Sequence, residues 1–169
     1  MNASIRDAVT ADLPAVAAIY THYVLRTTTT FNTEVRTPAE WKTRFADGKN
    51  LPGHHFLVAE ADGIVVGFVE TRQFRPKQAY SRSVELSVYV APDAHGNGYG
   101  GQLMDTLITR LTNEADVHRL YAVIALPNDE SVALHEKHGF IHRGTLTEAG
   151  YKFGRYLDVA YYERAVEPQ

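Results

Sequence analysis

The chain is 169 residues long and 44% hydrophobic, enough to bury one sizeable core and short for two, so a single domain over residues 1–169 is expected. Its 17 lysines and arginines nearly balance 20 acidic residues, with no basic run of the kind that follows a nucleic-acid backbone or an anionic membrane, which argues against both as partners. The absence of cysteine excludes disulfide frameworks, thiolate metal sites and cysteine nucleophiles.

The opening "MNASIRDAVTADLP" has neither the basic flank nor the apolar run of a signal peptide, and a soluble cytoplasmic protein is expected. "SIRDAV" reads as a short strand. "TADLPAVAAIYTHYVL" follows as a helix with Thr10 or Asp12 as cap, Pro14 in the first turn, and Leu13, Val16, Ile19, Tyr20 and Tyr23 on one stripe. "TPAEWKTRFADG" repeats the start signal at Thr37-Pro38 and stops at Gly48. "HHFLVAEADGIVVGFVETRQF" is two β-rich runs joined at Asp62-Gly63, a hairpin whose turn needs positive φ angles. "SVELSVYV" alternates, with Val84, Leu86, Val88 and Val90 on one face and Glu85, Ser87 and Tyr89 on the other.

"PDAHGNGYGGQL" comes next and contains a literal G-x-G-x-x-G at Gly96, Gly98 and Gly101. In a dinucleotide fold the first glycine closes a strand directly and an acidic residue lies about 20 positions on. Here "APDAH" intervenes and the acid falls in the wrong place, so the dinucleotide match is a coincidence of spacing. What remains is a run of exposed N–H groups entering a helix, a cradle suited to pyrophosphate.

The helical run "GGQLMDTLITRLTNEA" then presents Leu103, Met104, Leu107, Ile108 and Leu111 to a core. "RLYAVIAL" reads as a strand buried on both faces, and "NDESVALHEKHGF" as a short helix capped by Asn128 or Asp129 and closed by Gly139. Two strands about a glycine-marked turn complete the chain. The order β-α-α-β-β-β-α-β-α-β-β implies a mixed α/β fold, with an antiparallel front and a strand-helix-strand crossover. "HEKH" spaces its histidines three apart rather than four, His54 and His55 are adjacent, and no metal is expected.

"SVELSVYVAPDAHGNGYGGQLM" with "AVIALPNDESVALHEKHGF" resembles the acetyl-CoA signature of the GNAT N-acetyltransferases, which implies the acyl-CoA N-acyltransferase fold and acetyl-CoA as cosubstrate. The family pattern Gln/Arg-x-x-Gly-x-Gly/Ala falls on His95, Gly98 and Gly100, with His95 departing from the usual residue. "TTTTFNTEVRTPAEW" and "GTLTEAGYKFGRYLDV" are further similar to the phosphinothricin and methionine sulfoximine/sulfone acetyltransferases, implying transfer to the α-amine of a small amino-acid-like compound.

By this resemblance Val88, Tyr89 and Val90 would hold the pantetheine arm by their backbone. His95, Gly96, Asn97, Gly98, Tyr99, Gly100 and Gly101 would hold the pyrophosphate, and Asn128 and Lys137 would also meet the cosubstrate. Glu85 would take the amine's proton, and His135 would act as acid to sulfur or base to amine, the sequence leaving both open. Phe31, Phe74, Arg75, Lys77 and Tyr80 would shape the acceptor pocket, with Phe74 where tryptophan is usual. A homodimer is expected on the same ground. Two alternatives stay open: another small amine or a peptide N-terminus as acceptor, and a non-catalytic acyl-CoA sensor.

Overall fold

A computed structural model describes residues 3–49, 51–114 and 116–166. The third helical run ends in Ala115, outside the described residues. The elements follow the expected order: β1 Ser4–Asp7, α1 Leu13–Arg26, α2 Pro38–Gly48, β2 Phe56–Ala61, β3 Ile64–Gln73, β4 Ser83–Val90, α3 Tyr99–Thr112, β5 Arg119–Ala125, α4 Asp129–Lys137, β6 Ile141–Lys152 and β7 Arg155–Ala165.

Local chemistry sets most of these boundaries. Thr37 and Glu40 form a reciprocal cap on α2, the Thr37 hydroxyl accepting from the Glu40 N–H at 3.2 Å and the Glu40 carboxylate accepting from the Thr37 N–H at 2.6 Å. The turn between β2 and β3 places Asp62 at φ 51° and Gly63 at φ 77°, as that tight hairpin requires. Asp12 stands at the cap of α1 but does not cap it. Its carboxylate accepts from the Val9 N–H at 2.8 Å and pairs with Arg6 at 2.7 Å, tying the helix entry to β1.

The strands form one sheet in the order β1-β2-β3-β4-β5-β7-β6, and among the described residues β4 with β5 is its one parallel pair. A parallel pair needs a crossover, which α3 supplies. Leu103, Met104, Leu107 and Leu111 of α3 are buried against Leu57, Val69, Val84 and Leu86 on one face of the sheet. Val16 and Tyr20 of α1 and Trp41 and Phe45 of α2 bury Phe56, Val58 and Phe68 on the other. Among the described residues no helix is long and apolar enough to cross a membrane.

One expectation is corrected. β5 is not buried on both faces: Leu120, Ala122 and Ile124 are buried while Arg119, Tyr121 and Val123 stay half-exposed. The apolar run is continuous because the second face forms the wall of an open site, where Tyr121 stacks on Phe74, rather than a second layer of core.

Candidate active site

The parallel pairing of β4 with β5 lasts only from Ser83, Val84 and Glu85 against Arg119, Leu120 and Tyr121. Beyond it each strand keeps its outer partner, β3 for β4 and β7 for β5, while their facing edges separate. The separated edges carry main-chain donors and acceptors with no strand opposite, and such groups are satisfied by an extended amide-bearing chain laid between them. A small cavity of about 40 Å3 lies in the split, walled by Leu86 to Tyr89 on one side and Ala122 to Ile124 on the other. It shares Thr29, Val88, Asn128 and Ser131 with a larger cavity of about 610 Å3 that opens at the N-terminus of α3.

The larger cavity gathers most of the residues expected to hold the cosubstrate: Val88, Val90, His95, Gly96, Gly98, Tyr99, Gly100, Gly101, Asn128 and Lys137 all line it. Gly96 and Gly98 both adopt φ 79°, in the left-handed region where a side chain is strained. Gly100 is helical, and a Cβ there would meet Leu134 of α4 at 3.4 Å, so its smallness serves helix packing. The first bond within α3 runs from the Gln102 N–H to the Gly98 carbonyl at 3.1 Å, so the N–H groups from Gly98 to Gly101, residues that line the larger cavity, have no acceptor within the helix, an arrangement suited to an anion.

Two expected residues do not line this cavity. The Asn97 amide turns back to the Ala94 carbonyl at 3.1 Å. The Tyr89 ring lies on the opposite face, against Tyr20, Tyr23 and Phe68, leaving only its backbone at the split. His95 is held below the loop, its Nε2 at 2.9 Å from the Tyr23 hydroxyl, which itself donates to the Val90 carbonyl at 2.6 Å.

Glu85 and His135 stand on opposite faces of the sheet. Glu85 shares the side of Ser87 and Tyr89, the side of α1 and α2, whereas His135 lies on α4, whose Val132 and Leu134 pack into the α3 core. His135 is only 3% exposed. Its Nδ1 donates to the Ser131 carbonyl one turn back at 2.7 Å, while Nε2 is buried and has no hydrogen-bond partner among the described residues. Burial pushes the imidazole below its usual pKa, against the Ser131 hydrogen bond that raises it. The neutral ring therefore carries its proton on Nδ1 and keeps the lone pair on the buried Nε2, in a side chain that lines the small cavity.

On the other face, burial pushes the Glu85 carboxyl above the usual carboxylate range, opposed mainly by Arg75, whose Nη1 stands 3.5 Å from Oε2. The Arg75 guanidinium lies 4.1 Å over the Phe74 ring, which stacks in turn on Tyr121 at 4.1 Å, and its Nη2 donates to the Tyr161 hydroxyl at 3.1 Å. Tyr80 packs edge-on to Phe74. Lys77 is exposed, and its carbonyl is engaged by the Gln73 amide at 3.1 Å. Phe31 covers Gly150 of β6, in the same loop as Thr29. Tyr121, Tyr161, Thr29 and Ser131 join the site unannounced by the sequence: Tyr121 reads there as core, and no local pattern marks the rest.

These features fit a CoA thioester. Left-handed glycines head a helix at the mouth, unpaired backbone runs along a split, and an unpartnered nitrogen lies buried at its end. Among the described residues no group of three or more histidine and carboxylate side chains is placed to hold a metal ion. A mixed sheet split at its parallel pair, with a glycine-lined helix N-terminus at the opening, defines the acyl-CoA N-acyltransferase class. Residues 5–160 match the acetyltransferase (GNAT) domain, and the chain belongs to that family as an acetyl-CoA-dependent N-acetyltransferase.

The chain is 43% identical over 162 residues to the phosphinothricin N-acetyltransferase of Streptomyces coelicolor, covering 95% of this chain and 94% of that one. It is 39% identical over 171 residues to the L-methionine sulfoximine/L-methionine sulfone acetyltransferase of Pseudomonas paraeruginosa, covering 99% and 97%. A crystal structure of a phosphinothricin acetyltransferase from Sinorhizobium meliloti, in complex with acetyl-CoA, matches with a TM-score of 0.94 at 35% identity, covering 99% of this chain and 90% of that one.

Proposed function

We propose that the enzyme acetylates the α-amino group of a small acid-bearing amino acid of the phosphinothricin or methionine sulfoximine/sulfone type, by direct attack of the amine on acetyl-CoA. The observation that carries this reading is the placement of one cation, Arg75, beside Glu85 on the open face of the split: an anion binder next to a base. The similarity to the Streptomyces and Pseudomonas enzymes supports the same acceptor class.

The cosubstrate supplies an activated acetyl group on sulfur. The N–H groups from Gly98 to Gly101 hold its pyrophosphate, with His95 and Asn97 shaping the loop, Tyr99 beginning the helix and Lys137 at the rim of the cavity. The backbone of Val88, Tyr89 and Val90 with Asn128 aligns the arm in the split. Arg75 receives the acceptor's acid group on a floor of Phe74, with Phe31, Lys77 and Tyr80 around the approach. The acceptor arrives as an ammonium, and Glu85 takes one proton to free the lone pair. As the N–C bond forms and the C–S bond breaks, the nitrogen's second proton ends on sulfur, and His135 Nε2 is the buried acceptor through which it passes.

Two carboxyl-terminal strands expose Leu146, Tyr151 and Tyr156, an apolar surface that supports a homodimer, checked by sedimentation. Thiol release from acetyl-CoA, followed with a panel of acidic amino acids, neutral amines and polyamines, tests the acceptor class. Turnover confined to the acidic α-amino compounds is expected, and spermidine outpacing all of them would overturn it.

A further inference from the structure

Arg44, Arg72 and Arg75 stand near Glu85 on its face of the sheet, and the first two are already committed. Arg72 is the cross-strand neighbour of Glu85, yet its guanidinium pairs with Glu70 at 2.6 Å and donates to the Arg44 carbonyl at 2.7 Å. Arg44, from α2, pairs with the same Glu70 at 2.7 Å. Glu70 is 4% exposed and has no freedom to release them cheaply. The neighbour of Glu85 across the short parallel pairing is Tyr121, a neutral group whose hydroxyl is turned to Glu163 at 3.1 Å. Arg75 is thus the cation left to face the base: its side chain is 39% exposed and its approach to Glu85, 3.5 Å, is longer than a tight charge-assisted bond.

The other contacts of Arg75 hold it in place without neutralising it. Nη1 donates to the Phe74 carbonyl at 2.7 Å, Nη2 donates to the Tyr161 hydroxyl at 3.1 Å, and the plane rests on Phe74. A guanidinium has five N–H donors, so after these bonds and the Glu85 contact it still offers Nε–H and one Nη hydrogen to an incoming anion. An opposite charge within about 4–6 Å favours the ionised carboxylate, and a second carboxylate close by disfavours it. An acid group bound by Arg75 changes both conditions at Glu85 in the same direction.

We propose that Arg75 couples acceptor recognition to base strength: when it engages the acid group of the acceptor it gives up Glu85, so Glu85 becomes a strong proton acceptor only with an acid-bearing amine in place. Tyr161 is a positioning residue in this scheme, holding the guanidinium over Phe74 while its partner changes. Acidic acceptors are then selected through the rate of proton removal as well as through affinity, because a neutral amine leaves Arg75 on Glu85 and the base weaker than it is with Arg75 drawn away. This inference rests on the acceptor class proposed above.

The test reads the protonation of Glu85 directly, from the carboxyl band in infrared difference spectra that Glu85→Gln removes, titrated with the intact enzyme saturated in CoA. Two probes that lack the reacting amine are compared: the deaminated acid of methionine sulfone, and its neutral amide. The acid is expected to raise the Glu85 midpoint by about one pH unit or more, and the amide to leave it in place. In Arg75→Gln the midpoint should start high and move little with the acid.

An unmoved midpoint with the acid bound, failure of the acid to bind, an equal shift with the amide, or a full shift retained in Arg75→Gln each overturns the coupling. Thiol release with methionine sulfone itself is read in parallel. Turnover with an unmoved midpoint overturns the coupling and leaves the acceptor assignment standing, while a moved midpoint without turnover overturns the assignment instead.

Discussion

The two faces of the split sheet solve different problems. On the α3 side the notable groups are main-chain N–H groups, left-handed glycines and one buried imidazole, held by short-range geometry such as the bond from His135 to Ser131 one turn back. On the α1 and α2 side they are charged and aromatic side chains from distant segments, such as Arg75 and Tyr161, 86 residues apart. The first face is suited to a cosubstrate that is always the same, since backbone donors recognise phosphate whatever the side chains do. The second is suited to selecting an acceptor, because side-chain partners there can be exchanged.

The sharpest way to break this division is at Glu85. Glu85→Gln should lower kcat by roughly a hundred- to ten-thousand-fold, the range of a general base, while leaving acetyl-CoA binding measured by calorimetry near its original value. In the intact enzyme burial raises the Glu85 carboxyl, and only the ionised form accepts a proton. Activity should therefore fall as pH drops through a value above the ordinary carboxylate range, and that limb should be absent from the residual rate of Glu85→Gln.

A second test removes the support of the acceptor face. Burial alone would raise the Glu70 carboxyl, but the hydrogen bond to His54 and the charges of Arg44 and Arg72 hold it below its usual range. A folded value below the unfolded one means stability that is fully present above the unfolded pKa of about 4.3 and lost as pH falls through the folded value. Glu70→Gln should cost about 3 kcal/mol at neutral pH, the low end for breaking a buried pair because both arginines keep some solvent. Denaturant titrations at neutral and acid pH should show the difference from wild type shrinking below about pH 4.

Smaller effects sharpen the contrast from each side. Gly98 sits at φ 79°, where a Cβ costs about 1–2 kcal/mol, so Gly98→Ala should raise the KM for acetyl-CoA about tenfold and leave the acceptor KM alone. At Gly150 a Cβ would overlap the Phe31 ring. Phe31 is exposed and able to swing aside, so Gly150→Ala should reverse that pattern, raising the acceptor KM a few-fold, about the worth of one aromatic contact, at unchanged acetyl-CoA KM.

The local architecture of the α3 face was largely legible in the residues themselves. Four of the six residues from Gly96 to Gly101 are glycine, which announces a loop feeding a helix, and the structure adds that Gly96 and Gly98 serve the turn while Gly100 serves packing against α4. Strand alternation likewise placed Glu85 opposite the Val/Leu row of β4. The burial of His135 was not legible there, since a nine-residue helix with little apolar patterning gives no sign that this histidine turns inward beside Phe140. Tyr161 and Tyr121 lie in strands whose aromatic content reads equally well as core.

By itself, then, the sequence determined the element order, most of the caps and turns that bound the elements, and the alternation of strand faces, because these follow from φ preferences and from side-chain periods that act within a few residues. The tertiary structure decided where β4 and β5 part, which nitrogen of His135 is left buried without a partner among the described residues, and that Glu70 takes Arg44 and Arg72 and leaves Arg75 to Glu85. Those outcomes depend on which distant groups meet and which partners they already hold, and competition among charges for a buried carboxylate is settled only once the whole sheet face is assembled.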